Sequence, residues 1–98
     1  MMLFTVYAVD KPDSLQIRLD NRQAHLEWAA GFMDKIKIGG PMLADDGEAM
    51  AGSMFVMEYD SVEALRDLFK NDPYNKAGLF ESVTIRPFKA LLGAAAQA

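Results

Sequence analysis

The chain has 98 residues, enough for one domain and too few for a second core. A net charge of −4 with no basic tract argues against nucleic-acid binding, because phosphate backbones would be repelled. Without a single cysteine the protein can build no disulfide, no thiolate nucleophile and no cysteine-based metal site.

Residues 2–9, MLFTVYAV, are rich in β-branched and aromatic types and predict a strand that stops at the turn cluster DKPDS. This start lacks the basic region and cleavage site of a signal peptide, and no apolar run approaches the ~20 residues that span a bilayer. A soluble, cytoplasmic protein with no membrane partner is expected. From Ser14 to about Ile36 the pattern turns helical, with Leu15, Leu19, Leu26, Ala29 and Met33 expected on the core-facing side. Ile36 to Leu43 predicts a second strand, in which Gly39 and Gly40 mark a bulge or a close backbone approach. ADDGEAMAG at 44–52 is read as a hairpin loop whose acidic cluster is solvated. Ser53 to Tyr59 predicts the third strand, and Ser61 caps a second helix over SVEALRDLFK, with Ala64, Leu65 and Leu68 inward. NDPYNKAG at 71–78 is a turn or short helix, and Val83 to Phe88 the last strand.

The order β-α-β-β-α-β is the split-βαβ arrangement of ferredoxin-like α+β folds: a four-stranded antiparallel sheet with both helices on one face. Both crossovers are expected to be right-handed and to join parallel neighbours. The domain spans 1–98, with its core at 2–89 and a tail at 90–98. Strand one carries Leu3, Tyr7 and Val9 on one face and Phe4, Val6 and Ala8 on the other; strand three sets Met54 and Val56 against Phe55, Met57 and Tyr59. Neither face is polar enough for water, so two sheets are expected to pair face to face in a homodimer.

The only histidine, His25, stands in the first helix. With Leu15 at 0°, Arg22 falls at about 340°, Arg18 at about 300° and His25 at about 280°, while Leu26, Ala29, Met33 and Ile36 share the same side. One end of the core is therefore expected to be dry and the other lined with cationic and titratable groups. A lone His on an amphipathic helix can also be a hydrogen-bonded packing residue, and the spacing leaves both readings open. One His cannot supply a zinc set, so no metal is called for. No G-x-S-x-G context supports a serine hydrolase. General acid/base work remains, since imidazole titrates near neutral pH and a carboxylate can fix its tautomer. Asp72 is the candidate carboxylate; it can also N-cap the turn that begins at Pro73, and its two oxygens permit both roles.

The run YAVDKPDSLQIRLDNRQAHL, with GGP at 39–41, GS at 52–53, DPY at 72–74 and a closing RPF, resembles the YciI-like (YCII-related) proteins over about residues 3–89. The resemblance implies a dimeric α+β barrel with a histidine–aspartate pair in a pocket. By motif these are His25 of R-x-x-H and Asp72 of DPY, with Arg22, Ser53 and Tyr74 at recurrent positions around them. One member type is a dehydrochlorinase acting on a chlorinated hydroxyhydroquinone, and muconolactone isomerases share the fold. The middle loop, ADDGEAMAG, is shorter here than in many relatives, which leaves the substrate open. The expectation is acid/base chemistry without cofactor on a small aromatic or lactone-like molecule, as lyase, isomerase or dehydrochlorinase. His25 shuttles the proton, Asp72 orients it, Arg22 holds an anionic oxygen, and Ser53 and Tyr74 give hydrogen bonds. Two other classes fit the same residues: a non-enzymatic small-ligand binder and a cofactor-free oxygenase.

Overall fold

The N-terminal run of β-branched and aromatic residues forms the central strand that the other elements organise around. In the computed structural model, which describes residues 2–97, β1 (Met2–Asp10) pairs antiparallel with β3 (Met50–Tyr59) on one side and β4 (Phe80–Phe88) on the other. β2 (Ile36–Leu43) pairs with β3, giving the order β2-β3-β1-β4. The sheet is antiparallel throughout. β1 and β2 do run in the same direction, but β3 lies between them, so the expectation of parallel neighbours is corrected. Inserting β3 lets every strand pair through a hairpin or crossover without two parallel edges meeting.

Strand alternation sets the layers. Phe4 and Val6 of β1, Phe55 and Met57 of β3 and Ile85 of β4 form one buried cluster with Leu65 and Phe69 of α2 (Val62–Lys70), joined by Trp28 and Phe32. Both long helices thus cover one face. The opposite face carries Tyr7 beside Met54, Ile38 beside Val56, and Phe88 beside Leu3. Tyr7, Met54, Ile38 and Phe88 are exposed.

Several boundaries differ from the sequence reading. The first helix, α1 (Leu15–Ala30), ends at Ala30 instead of Ile36, because Gly31 closes it and the chain turns at Phe32 (φ −142°, ψ 35°) into a 3₁₀ turn at Met33–Lys35. That swing seats Phe32 edge-on to Trp28, ring centroids 4.7 Å apart. β3 starts at Met50, not Ser53, since the loop is a tight turn: Ala44 N–H donates to Ala49 O at 2.7 Å and Gly47 takes a φ of 75°. Asp46 Oδ1 accepts from the N–H groups of Glu48 (2.8 Å) and Ala49 (3.0 Å), which holds that carboxyl below its ordinary pKa. One of the loop's acids therefore shapes the turn as well as meeting solvent. Gly52 sits within β3 because the Ala8 carbonyl occupies the place of a Cβ. β4 starts at Phe80, three residues before the predicted Val83. NDPYNKAG contains α3 (Pro73–Lys76), and the tail includes a 3₁₀ turn at Ala94–Gln97. No helix among the described residues is long and apolar enough to cross a membrane.

The largest correction concerns the roll of α1. Its buried residues are Arg18, His25 and Ala29, while Leu15, Leu19, Leu26 and Met33 are exposed. The core direction lies about a quarter turn from the leucines, centred on Arg18, between His25 and Ala29. Aromatic packing fixes that angle: the Trp28 ring meets Phe69 edge-on at 5.2 Å, across the helix layer.

Candidate functional site

Three elements meet where the polar stripe of α1 crosses the sheet. At the end of β1, Asp10 receives both arms of the Arg18 guanidinium, Nε to Oδ2 at 2.8 Å and Nη2 to Oδ1 at 2.7 Å. The same Nη2 donates to Ser53 Oγ of β3 at 3.1 Å. A two-pronged arginine–carboxylate contact of this kind is both strong and directional. Arg18 also lies 4.6 Å from the centroid of the Tyr74 ring, within cation–π range. Burial by itself would lower the Arg18 pKa, but hydrogen bonding and attraction from Asp10, with smaller help from Tyr74, outweigh it and raise the value. Arg18 is a fixed cation.

One turn pair further along, His25 Nδ1 lies 2.8 Å from Asp72 Oδ1. Asp72 is fully buried, and the same Oδ1 accepts the Tyr74 backbone N–H at 3.0 Å, so it caps α3 with Pro73 at the first helical position. A single oxygen, Oδ1, thus both caps α3 and meets the imidazole, where the sequence reading assigned the two contacts to two oxygens. Its Oδ2 has no hydrogen-bond partner among the described residues. The Tyr74 ring stacks on the imidazole at 4.0 Å and 15°, with Phe55 and Trp28 at 6.3 and 5.6 Å. Burial pushes the Tyr74 phenol above its ordinary pKa, against the pull of Arg18, with Asp72 adding to the rise.

Against His25, Arg18 and Tyr74 lies a cavity of about 200 Å³ under β2, with Asp72 behind the imidazole. Arg18, Arg22, Ser53 and Tyr74 line its polar part, and Leu26, Ala29, Met33, Ile36 and Phe55 its apolar part, with His25 between. Gly39 of β2 faces Phe55 so closely that a Cβ there would overlap the ring. That explains the glycine: the backbone must approach for the wall to close. Two wider, more open hollows lie elsewhere, one of about 540 Å³ between α2 and β4 and one of about 450 Å³ around residues 10–15. Neither contains His25 or Asp72.

All five residues singled out in the sequence, His25, Asp72, Arg22, Ser53 and Tyr74, fall at this place. Arg22 departs from expectation in being exposed, and it reaches the cavity from its rim. Arg18 takes the buried position instead. Sequence reasoning missed Asp10 and underrated Arg18, although Arg18 stands seven residues before His25 and so on the same stripe. With Arg18 neutralised by Asp10, Arg22 is the cation at the cavity that no described carboxylate pairs. Among the described residues no group of three or more His, Cys, Asp or Glu comes together to hold a metal.

Residues 2–89 match the model of the YCII-related domain. The chain belongs to the YCII-related family. It is 41% identical over 95 residues to Protein YciI of Escherichia coli O6:H1, covering 90% of this chain and 97% of that protein. Among solved structures it resembles 5-chloro-2-hydroxyhydroquinone dehydrochlorinase (TftG) from Burkholderia phenoliruptrix, in complex with 2,5-dihydroxybenzoquinone. That match has a TM-score of 0.83 and 40% identity over 90% of this chain and 94% of that one. An antibiotic biosynthesis monooxygenase shares the fold alone, at a TM-score of 0.55 and 12% identity, covering 94% and 100%. The ferredoxin-like architecture of this YCII-related chain is thus common to proteins of different chemistry, and function must be argued from the cavity.

Proposed function

We propose that the protein is an acid/base enzyme acting on a small, planar, oxygen-bearing anion, as a lyase, isomerase or dehydrochlorinase. The observation that carries this reading is the His25–Asp72 contact of 2.8 Å at the wall of a cavity with one polar and one apolar part. Asp72 accepts from Nδ1–H and so selects the tautomer whose Nε2 is the proton acceptor. Nε2 takes a proton from a substrate hydroxyl or carbon; the freed electron pair moves through the conjugated system. It then expels a leaving group such as chloride, or reaches another carbon that recovers the proton from His25. Arg22 stabilises the oxygen on which negative charge gathers, and Arg18, locked to Asp10, presents Ser53 Oγ and supports the Tyr74 ring. The resemblance to TftG and the quinone bound in that protein favour an aromatic ring of this size class.

The functional unit is a homodimer, acting in the cytoplasm, in which the two exposed sheet faces pair. Tyr7, Ile38, Met54 and Phe88 leave apolar surface exposed on that face, and a contiguous apolar patch of this kind marks an interaction site. The test is chloride release from a chlorinated hydroxyhydroquinone together with binding of 2,5-dihydroxybenzoquinone. His25→Ala and Asp72→Asn should each lower turnover by about 10²–10⁴-fold while the fold survives. Because His25 is the only histidine, ring-¹⁵N NMR reads the tautomer directly, and Asp72→Asn should change it. Saturable binding without turnover, unchanged by Asp72→Asn, would make the protein a binding module.

A further inference from the structure

Both walls of the cavity beside His25 change from polar to apolar in the same direction. Along α1, Arg18 and Arg22 stand at one end, His25 follows, and Ala29 lies beyond it, with Met33 after the helix. The β2 wall runs the other way and matches. Pro41 pairs with Ser53, which accepts from Arg18, while the Ile36 N–H donates to the Met33 carbonyl. The helical rise places Arg22 ~4.5 Å before His25 and Ala29 ~6 Å after it. A ring with its anionic oxygen at Arg22 and its reacting atom at His25 therefore turns its far edge to Ala29. Ala29 is 5% exposed and is the smallest side chain that α1 gives to the cavity.

Size points the same way. A dry cavity of ~150 Å³ lined by Leu, Ile and Phe holds one benzene ring. This cavity, at about 200 Å³, has roughly 50 Å³ more, the share of one or two water-sized groups at ~30 Å³ each. We propose that the cavity is built for a ring carrying a short apolar substituent that the reaction retains, and that Ala29 sets the length of that substituent. The inference deepens the acid/base reading above and rests on it. The substituent is apolar because Leu26, Met33, Ile36 and Phe55 line the Ala29 end. It is retained because a halide expelled there would exchange water for an apolar wall with no cation to meet it. The leaving group belongs at the Arg22 end. Length is limited at the rim, where Leu26 and Met33 are 49% and 57% exposed and further carbons return to water. Met50, three residues before Ser53 on β3, is the apolar side chain at the opposite end. A ring turned end for end would carry its substituent there, but its anionic oxygen would then lie among the apolar residues.

Isothermal titration calorimetry with 2,5-dihydroxybenzoquinone and its 3-methyl, 3-ethyl and 3-propyl derivatives tests the proposal. In the parent, the first and second carbons should each tighten binding about fourfold, the factor for burying one methylene, and the third should add less. Ala29→Val, whose two extra carbons fill the spare volume, should bind the unsubstituted ring as the parent does and lose both gains. Ala29→Gly should shift the limit outward, so that the third carbon gains as much as the first two. Equal affinity for all four ligands, in a parent that binds the unsubstituted ring, overturns the substituent and leaves the acid/base reading standing. A gain that Ala29→Val keeps and Met50→Ala removes turns the ring end for end and overturns the role of Ala29. Should Ala29→Val bind none of the four, Ala29→Gly decides, and an unmoved limit there overturns the assignment. A parent that binds none of them overturns both readings.

Discussion

The two long helices rest on the same sheet face and are built on opposite plans. α2 begins with Ser61 Oγ accepting from Ala64 N–H at 3.1 Å, carries Glu63 in its first turn and Lys70 in its last, and buries Leu65 and Phe69. α1 has no side-chain cap bond: the Ser14 hydroxyl instead donates to the Lys11 carbonyl at 2.5 Å, and there is no acid in its first turn or base in its last. It buries Arg18 and His25 and leaves three leucines, Leu15, Leu19 and Leu26, outside. An ordinary helix gains most of its stability from its apolar face. α1 is held in its roll by polar partners on three other elements: Asp10 of β1, Ser53 of β3 and Asp72 at the start of α3. Where a helix forgoes leucine burial for specific polar contacts, the contacts are the reason for the helix, and the cavity lies against that stripe.

The sharpest way to break this contrast is to remove a polar partner. Arg18→Met strands Asp10 as a buried charge and should cost ~3–5 kcal/mol in urea unfolding, as should Asp10→Ala. The double variant should recover at least ~1 kcal/mol of the summed loss, since the two changes act on one contact. A cost within ~0.5 kcal/mol, the range of ordinary surface substitutions, would make α1 an ordinary helix. On the α2 side, Leu65→Ala should cost ~2–5 kcal/mol through cavity formation, with ligand affinity unaltered because Leu65 lies outside the site. Between the two, Gly39→Val forces the Phe55 ring aside and should cost ~1–3 kcal/mol while reducing quinone binding. Arg22→Met should change stability by less than ~0.5 kcal/mol, Arg22 being exposed, and yet abolish affinity for an anionic ligand. A destabilised Arg22→Met with normal binding would move the anion site to Arg18.

The same contrast governs what could be read in the sequence. α2 was legible because capping, charge placement and apolar spacing all point one way, and the strands were legible from alternation and turn residues. The element order points to a four-stranded antiparallel sheet but left its neighbours misread, because β3 lies between β1 and β2. The roll of α1 was not legible: leucines at three- and four-residue spacing announce a core face, and no helix-wheel argument can know that Trp28 will lodge against Phe69 from another helix. The same error hid Arg18 and displaced Arg22 from interior to rim. His25 and Asp72 were legible individually, but their separation of 47 positions hides a contact that only the return of the chain through α2 creates. Ser53 and Tyr74 came from motif resemblance, and their physical role became visible only once Asp10 was seen to fix Arg18.

The last expected effect is confined to alkaline pH and is the most selective. Tyr74 bridges the two polar pairs, its ring lying against His25 and under Arg18. Burial raises its phenol pKa above the ordinary 10.0 in the folded chain. Between those two values the folded protein keeps the proton that the unfolded chain releases, so the unfolded state binds fewer protons and stability falls as pH rises. The contribution is therefore fully present below about pH 10 and is lost as pH climbs toward the folded value, at up to ~1.4 kcal/mol per pH unit. Tyr74→Phe should flatten the decline between pH 9 and 11 in chemical denaturation. Leu65→Ala, by comparison, should lower the whole profile without changing its tilt, because no ionisation is coupled to that side chain. A Tyr74→Phe profile as steep as the parent's would put the phenol in water and detach α3 from the polar stripe of α1.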